Sequence, residues 1–327
     1  MTAGMPILDQ SPPFPIPRKI RMPFARTVAS LLVMFGMGTA FSQSSSTQTL
    51  AAARAMHPME IAVRTRDGAP PPIPPKGVLE IVHYRSPAGV MAAYVTPHPS
   101  TPDRHPAIIW ISGGDSNTIG DFWTPQPATN DQTASAFRRA GIVEMYPSMR
   151  GGNNNPGFRE YFYGEVDDIL AAADYLAQQP YVDPSRIYLG GHSTGGTLAL
   201  LVAEKSARFR ATFAFGPVPD VRSYGHLIPV ALNDENQARL RSPAYWLGSI
   251  HSSVFVFEGD HQANTDALQA LARINHNPRV QFHVVPRATH FSTLAPATAL
   301  IAGKIVNDSG TSTNIRFSDD ELSALIR

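Results

Sequence analysis

Residues 190–196 read Gly-Gly-His-Ser-Thr-Gly-Gly, between the apolar runs Arg186-Ile187-Tyr188-Leu189 and Thr197-Leu198-Ala199-Leu200-Leu201-Val202-Ala203. A Gly-x-Ser-x-Gly pattern between a short strand and a helix is the sequence form of a nucleophile elbow. Side chains at Gly191 or Gly195 would collide with the neighbouring strand or helix, and the tight bend lifts the Ser193 hydroxyl clear of the sheet. The helix that follows aims its free N–H groups and the positive end of its dipole at the same point, where an oxyanion would develop.

A serine hydroxyl is a poor nucleophile near neutral pH. It needs a positioned imidazole, and the imidazole needs a carboxylate that fixes its tautomer. On strand–elbow–helix scaffolds these partners follow the serine in the order acid, then histidine. Six histidines lie after Ser193: 226, 251, 261, 276, 283 and 290. His283 lies within an apolar strand, His226 and His251 in a long insertion, and His276 in an Asn-Pro turn. His290 follows the last strand in the loop Pro286-Arg287-Ala288-Thr289-His290-Phe291, just ahead of a helix, and is the expected general base. The acid should leave the strand Val254–Phe257 at its carboxyl end, where Glu258-Gly259-Asp260 stands. Asp260, in the loop, is the first choice and Glu258 its rival; Asp266 reads as a helix N-terminal acid. The sequence leaves Asp260 and Glu258 both open. For the oxyanion, one amide should be that of Thr194. The second should come from Ser112-Gly113-Gly114-Asp115, at Gly114 or Asp115, where glycines allow close backbone approach. Arg150, Asp115 and Trp123 are further pocket candidates, with a structural ion pair the preferred reading of Arg150.

The elements that must position these groups are legible from periodicity. Val78–Tyr84 and Val90–Val95 flank a turn at Ser86-Pro87-Ala88-Gly89, a hairpin signal. Continuous apolar strands are expected at 107–112, 142–146, 186–189, 211–215, 254–257 and 280–285. Helices are expected at 133–140, from Glu165 onward with acids in its first turn, after the elbow, at 267–274 and at 292–304. Ser318-Asp319-Asp320-Glu321 is a capping box for a last short helix. Apolar strands alternating with helices imply an α/β fold, a mostly parallel central sheet with helices on both faces. The interruption at 217–252 should form a short cap over the site.

Composition narrows the partners. The 327 residues carry a formal net charge of +1, are 43% hydrophobic and include no cysteine. A large core is available, while disulfides, thiolate catalysis and cysteine-zinc sites are excluded. No basic stripe suggests nucleic acid, and no paired-histidine or clustered-carboxylate pattern suggests a metal. The expectation is therefore no metal and no cofactor. Arg18, Lys19, Arg21 and Arg26 precede the apolar stretch Thr27–Phe41 and small residues at Ala40 and Ser42, a pattern that reads as a secretory signal over 1–45, with Met22 an alternative start. A disordered extension or an uncleaved anchor is the competing reading. The stretch is short for a membrane span, so the expected product is a periplasmic or secreted protein without stable membrane insertion. Residues 46–76, Ser/Ala- and then Pro-rich, read as a linker with one amphipathic piece near 50–63, and 77–327 as the folded domain.

Asp183-Pro184-Ser185-Arg186-Ile187 leading into Gly191-His192-Ser193-Thr194-Gly195-Gly196 resembles the catalytic domain of the prolyl oligopeptidase family and its dienelactone-hydrolase-like relatives. Tyr146–Gly152, Glu165–Asp168 and the loop 286–291 resemble further stretches of that group. The likeness spans about residues 77–305 and implies an α/β-hydrolase fold and a serine hydrolase without cofactor. Two departures stand out. Those relatives show Gly-x-x-Asp after the penultimate core strand, where this chain has Gln262. Too few residues precede Gly77 for the β-propeller that restricts oligopeptidases to short peptides. The expected activity is thus hydrolysis of a small carboxylic ester or related acyl bond through an acyl-enzyme. A peptidase acting on short peptides is the alternative, and a non-catalytic binding protein on the same scaffold is a third reading. Oligomeric state is not readable from the sequence.

Overall fold

The computed structural model describes residues 48–57, 59, 63–228 and 234–326. The expected export signal at 1–45 lies outside the described residues. Among the described residues no helix is long and apolar enough to cross a membrane.

The described residues begin with helix α1 (Leu50–Met56) and the hairpin β1 (Glu80–Ser86) and β2 (Gly89–Val95). They continue through β3 (His105–Ile111), α2 (Ala136–Arg139), β4 (Val143–Pro147), α3 (Glu165–Ala177), β5 (Val182–His192), α4 (Thr194–Lys205) and β6 (Ala211–Phe215). After a 3-10 turn at Val221–Leu227 come α5 (Glu235–Arg239), β7 (Ser253–Gly259), α6 (Thr265–Ile274), β8 (Val280–Val285), α7 (Leu294–Val306) and α8 (Asp319–Ser323). Among the described residues eight strands form one sheet in the order β1-β2-β4-β3-β5-β6-β7-β8. From β4 to β8 all neighbours are parallel, and β2 runs against both β1 and β4. This is an α/β-hydrolase-like arrangement, with helices on both faces. Parallel strands must be covered on both sides, and β4 and β6 accordingly have every residue buried.

The elements arise where local chemistry asks for them. In the hairpin, Ser86 pairs with Gly89 across a two-residue connection. Helix α3 carries Glu165, Asp167 and Asp168 in its first turn and buries Val166, Ile169, Ala173 and Leu176 on one face. The Ser318–Glu321 capping box forms, with both reciprocal bonds present. The helix expected at 133–140 is shorter, because Asp131 captures the Thr133 amide and hydroxyl and the Ser135 hydroxyl before the helical ladder begins.

The segment expected to be a linker is docked on the domain. Leu50 is buried, and the enclosed Arg54 guanidinium donates to the carbonyl oxygens of Phe162, Tyr163 and Leu240. Farther along, the Asp67 amide donates to Gly151 O, and the Tyr94 hydroxyl donates to Pro72 O at 2.5 Å. Composition describes such a strap as loose because its partners are backbone carbonyls far away in sequence.

Candidate active site

Strand β5 ends at His192 and α4 begins at Thr194, so Ser193 occupies the bend alone, with φ 55° and ψ −113°. A non-glycine residue at positive φ is strained, and the surroundings must hold it there. They do so from both sides: the Ser193 amide donates to Phe215 O at the end of β6 (2.7 Å), and the Thr197 amide donates to Ser193 O (2.9 Å). The motif glycines are needed for close approach. A Cβ on Gly191 would overlap the Gly195 carbonyl, and one on Gly195 would overlap Ile111 O of β3.

The loop after β3 lies against this elbow. The Thr194 hydroxyl donates to Gly114 O at 2.9 Å, and Gly114 takes φ +77°. The Gly113 amide donates to the Gln132 side-chain oxygen (3.1 Å), leaving the amides of Gly114 and Asp115 as the ones this loop can offer. The Thr194 amide heads α4, where helix geometry supplies no internal acceptor. The Asp115 carboxylate turns outward, accepting from the Asn117 amide and from Arg159 Nη2 at 2.8 Å.

His290 lies in the loop between β8 and α7, with Nδ1 2.9 Å from Glu258 Oε2. Glu258 is the penultimate residue of β7; its side chain is 2% exposed and its second oxygen accepts from the Gly259 amide at 2.8 Å. Room for this pair comes from Gly216, at φ +56°: a Cβ there would overlap the His290 ring and sit 2.8 Å from Glu258 Oε2. Asp260, the first choice by position, lies elsewhere. Its side chain is 43% exposed, and its Oδ1 accepts from the Arg287 amide at 2.7 Å. The reason is the path of the chain beyond β7. The His261 amide bonds to Ala288 O, so the histidine loop crosses just past Gly259 and returns His290 over Glu258, with Asp260 on the outer side. Asp266 sits in the first turn of α6.

Three other side chains meet here that the sequence reading did not single out as site residues. Tyr224, from the expected cap, places its hydroxyl 2.8 Å from Thr197 Oγ1 and stacks on Phe162. Burial pushes its hydroxyl well above the ordinary tyrosine range, opposed by hydrogen bonding to Thr197 and Ser193. His192 is fully enclosed, its ring 4.4 Å from that of His290, and Gln132 lies 2.9 Å from its Nδ1. Position x of Gly-x-Ser-x-Gly carries no type preference that could have marked His192, and Gln132 and Tyr224 belong to loops without a motif.

Burial, reinforced by the neighbouring His290, lowers the His192 pKa from 6.5 to about 3. The unfolded chain therefore binds a proton below pH 6.5 that the folded one refuses. Stability is expected to fall as pH drops from 6.5 towards 3, by up to about 1.4 kcal/mol per pH unit from this group. Urea unfolding across that range checks it: the slope should flatten in His192→Gln, and an unchanged slope would assign acid sensitivity to other groups.

Arg150 takes the structural reading. Its guanidinium grips Asp168 through Nε (3.0 Å) and Nη2 (2.9 Å) and pairs with Glu160 at 2.6 Å. Asp168 is wholly buried, so Arg150→Met should cost about 3–5 kcal/mol in urea unfolding by leaving that carboxylate unpaired. A loss below 1 kcal/mol, on the order of an exposed pair, would contradict it. Trp123 packs edge-on against Tyr94, and His283 is sandwiched among Phe255, Phe257 and Phe317. Among the described residues no cluster of three His, Asp or Glu side chains could hold a metal ion.

A serine thus stands on a strained strand–helix turn of an α/β-hydrolase-like sheet. The chain belongs to the prolyl oligopeptidase family, whose sequence profile matches residues 128–298. It is 28% identical over 121 residues to dipeptidyl-peptidase 5 of Porphyromonas gingivalis, covering 34% of this chain and 16% of that protein. It is 26% identical over 152 residues to the thiohydrolase apmlB of Arthrinium phaeospermum, covering 43% and 47%. The uncomplexed acylaminoacyl peptidase of Pyrococcus horikoshii superposes with a TM-score of 0.56 at 15% identity, over 75% of this chain and 43% of that one, a likeness of fold. The chain thus spans about a sixth of dipeptidyl-peptidase 5 and about half of the thiohydrolase. Homology supports a catalytic domain of serine-hydrolase type.

Proposed function

We propose that the protein is a serine hydrolase of acyl bonds, with short peptides or acylated amines as its first substrate class. The observation that carries this reading is the 2.9 Å contact between His290 and the buried Glu258, beside the strained Ser193 elbow. Glu258 holds the Nδ1–H tautomer of His290 and leaves Nε2 as the base. Ser193 Oγ attacks the substrate carbonyl as His290 takes its proton. The amides of Thr194 and of Gly114 or Asp115 stabilise the oxyanion. Collapse expels the leaving group with the proton from His290, and water, activated by the same imidazole, releases the acyl group. Peptide bonds come first because the family profile and dipeptidyl-peptidase 5 favour them over the simple esters expected from the sequence. Ester or thioester cleavage is the second reading, favoured by the likeness to the thiohydrolase.

The test pairs a fluorophosphonate probe with two chromogenic series, p-nitroanilides of short peptides and p-nitrophenyl esters. Labelling of the wild type and its loss in Ser193→Ala is the expected result. A folded wild type that takes no label would overturn the hydrolase reading in favour of a binding protein. Turnover of the anilides selects the peptidase reading, and esters cleaved without any anilide select the second. We further propose that the protein acts outside the cytoplasm, from the basic-then-apolar pattern at residues 18–41. N-terminal sequencing of the mature protein checks this, an intact Met1 being the contrary outcome.

A further inference from the structure

His192 and Gln132 tie three separate parts of the site together. The Gly113 amide donates to Gln132 Oε1 at 3.1 Å, which orients the Gln132 amide. Its NH2 group then faces Asn130 Oδ1 at 3.0 Å and His192 Nδ1 at 2.9 Å. Gln132 Oε1 also lies 3.1 Å from this Nδ1, but Nε2 faces a carbonyl oxygen, which can only accept, so the ring proton belongs on Nε2 and Nδ1 accepts from the NH2 group. His192 Nε2 lies 3.0 Å from the carbonyl oxygen of His290. The hydrogen bonds therefore run from the oxyanion loop through Gln132 to the end of β5, and from there to the backbone of the loop that carries the expected base.

We propose that His192, set by Gln132, is a positioning residue that locks the His290 loop to the oxyanion loop. The proposal rests on the hydrolase reading given above. His192 touches no reacting atom; it acts by fixing the backbone from which His290 projects. Tight closure matters because a misplacement of 1 Å at a reacting group costs about a hundredfold in rate. The lock must also be neutral. In the reaction His290 becomes an imidazolium, and a second positive ring 4.4 Å away would oppose that charge. The imidazole meets this need: it is a donor at Nε2 and an acceptor at Nδ1, and burial keeps it uncharged.

The experiment compares wild type, Ser193→Ala, His192→Leu, His192→Gln and Gln132→Met in the full chain. Fluorophosphonate labelling rate, and kcat and KM on p-nitrophenyl butyrate, are measured with circular dichroism as the check of folding. His192→Leu should lose about a hundredfold in kcat and labelling rate with KM little changed. His192→Gln, whose side-chain amide can reach the same carbonyl, should recover about tenfold or more of that loss, and Gln132→Met should fall between. Nitrogen-15 NMR of the wild type should show His192 in the Nε2–H tautomer across about pH 5 to 9.

A folded His192→Leu that labels at the wild-type rate overturns the lock, as do equal losses in the Leu and Gln variants or an Nδ1–H tautomer. Should His192→Leu fail to fold, Gln132→Met and the wild-type tautomer decide. A silent wild type, or labelling that persists in Ser193→Ala, brings down the hydrolase reading and the lock with it. Labelling that needs Ser193 but ignores His192 brings down the lock alone.

Discussion

Ser193→Ala is expected to lower turnover by about six orders of magnitude, with little change in KM. Removing the hydroxyl deletes the atom that forms the acyl-enzyme, and the neighbouring Thr194 hydroxyl is engaged with Gly114 O at 2.9 Å. The expected floor is set by oxyanion stabilisation and substrate binding, worth about a thousandfold or more over water. Stability should move the other way or not at all. The φ of 55° at Ser193 is held by backbone hydrogen bonds that alanine keeps, from its amide to Phe215 O and from the Thr197 amide to its carbonyl oxygen. Single-turnover kinetics on p-nitrophenyl butyrate with the purified variant measure the loss. Residual activity within about a hundredfold of wild type, an effect on the scale of one oxyanion donor, would remove Ser193 from its role.

Glu258→Gln should cost about ten-thousandfold in kcat, the scale seen when a triad carboxylate becomes an amide. The carboxylate accepts from His290 Nδ1 and from the Gly259 amide at once. An amide keeps that shape but can donate to Nδ1, which puts the imidazole proton on Nε2 and blocks the base. Asp260→Asn is the paired control. Asp260 is turned to solvent; it accepts from the Arg287 amide, a role that an amide oxygen also fills, and otherwise faces the exposed His261 ring at 3.7 Å. Its effect should be small, within about threefold, as for surface changes worth under half a kcal/mol. If Asp260→Asn took the large loss and Glu258→Gln the small one, the acid assignment would be reversed. If both were small, His290 would work without a carboxylate partner.

The alternation of strands and helices was readable because each parallel strand is buried on both faces and must be apolar throughout, as at Val254–Phe257. The elbow was readable for a related reason: Gly191 and Gly195 answer contacts with backbone nearby, so only glycine satisfies them. The place of His290, in a loop between the last strand and a helix, was readable from the same patterning. The docked strap at Leu50–Met56 was not readable, since its anchors are carbonyls more than a hundred residues away. Nor was Gln132, whose partners Gly113 and His192 lie on different elements.

The sequence by itself determined the glycine-flanked strand–turn–helix that carries Ser193 and the loop beyond the last strand that carries His290. It also determined the sheet that carries them, because the apolar periodicity of each strand is a local property of the chain. Only the tertiary structure decided that Glu258, and not Asp260, lies against His290, and that His192 reaches the backbone behind it. Both outcomes depend on where the 286–293 loop crosses the end of β7. A crossing point set by packing leaves no mark at the residues it brings together.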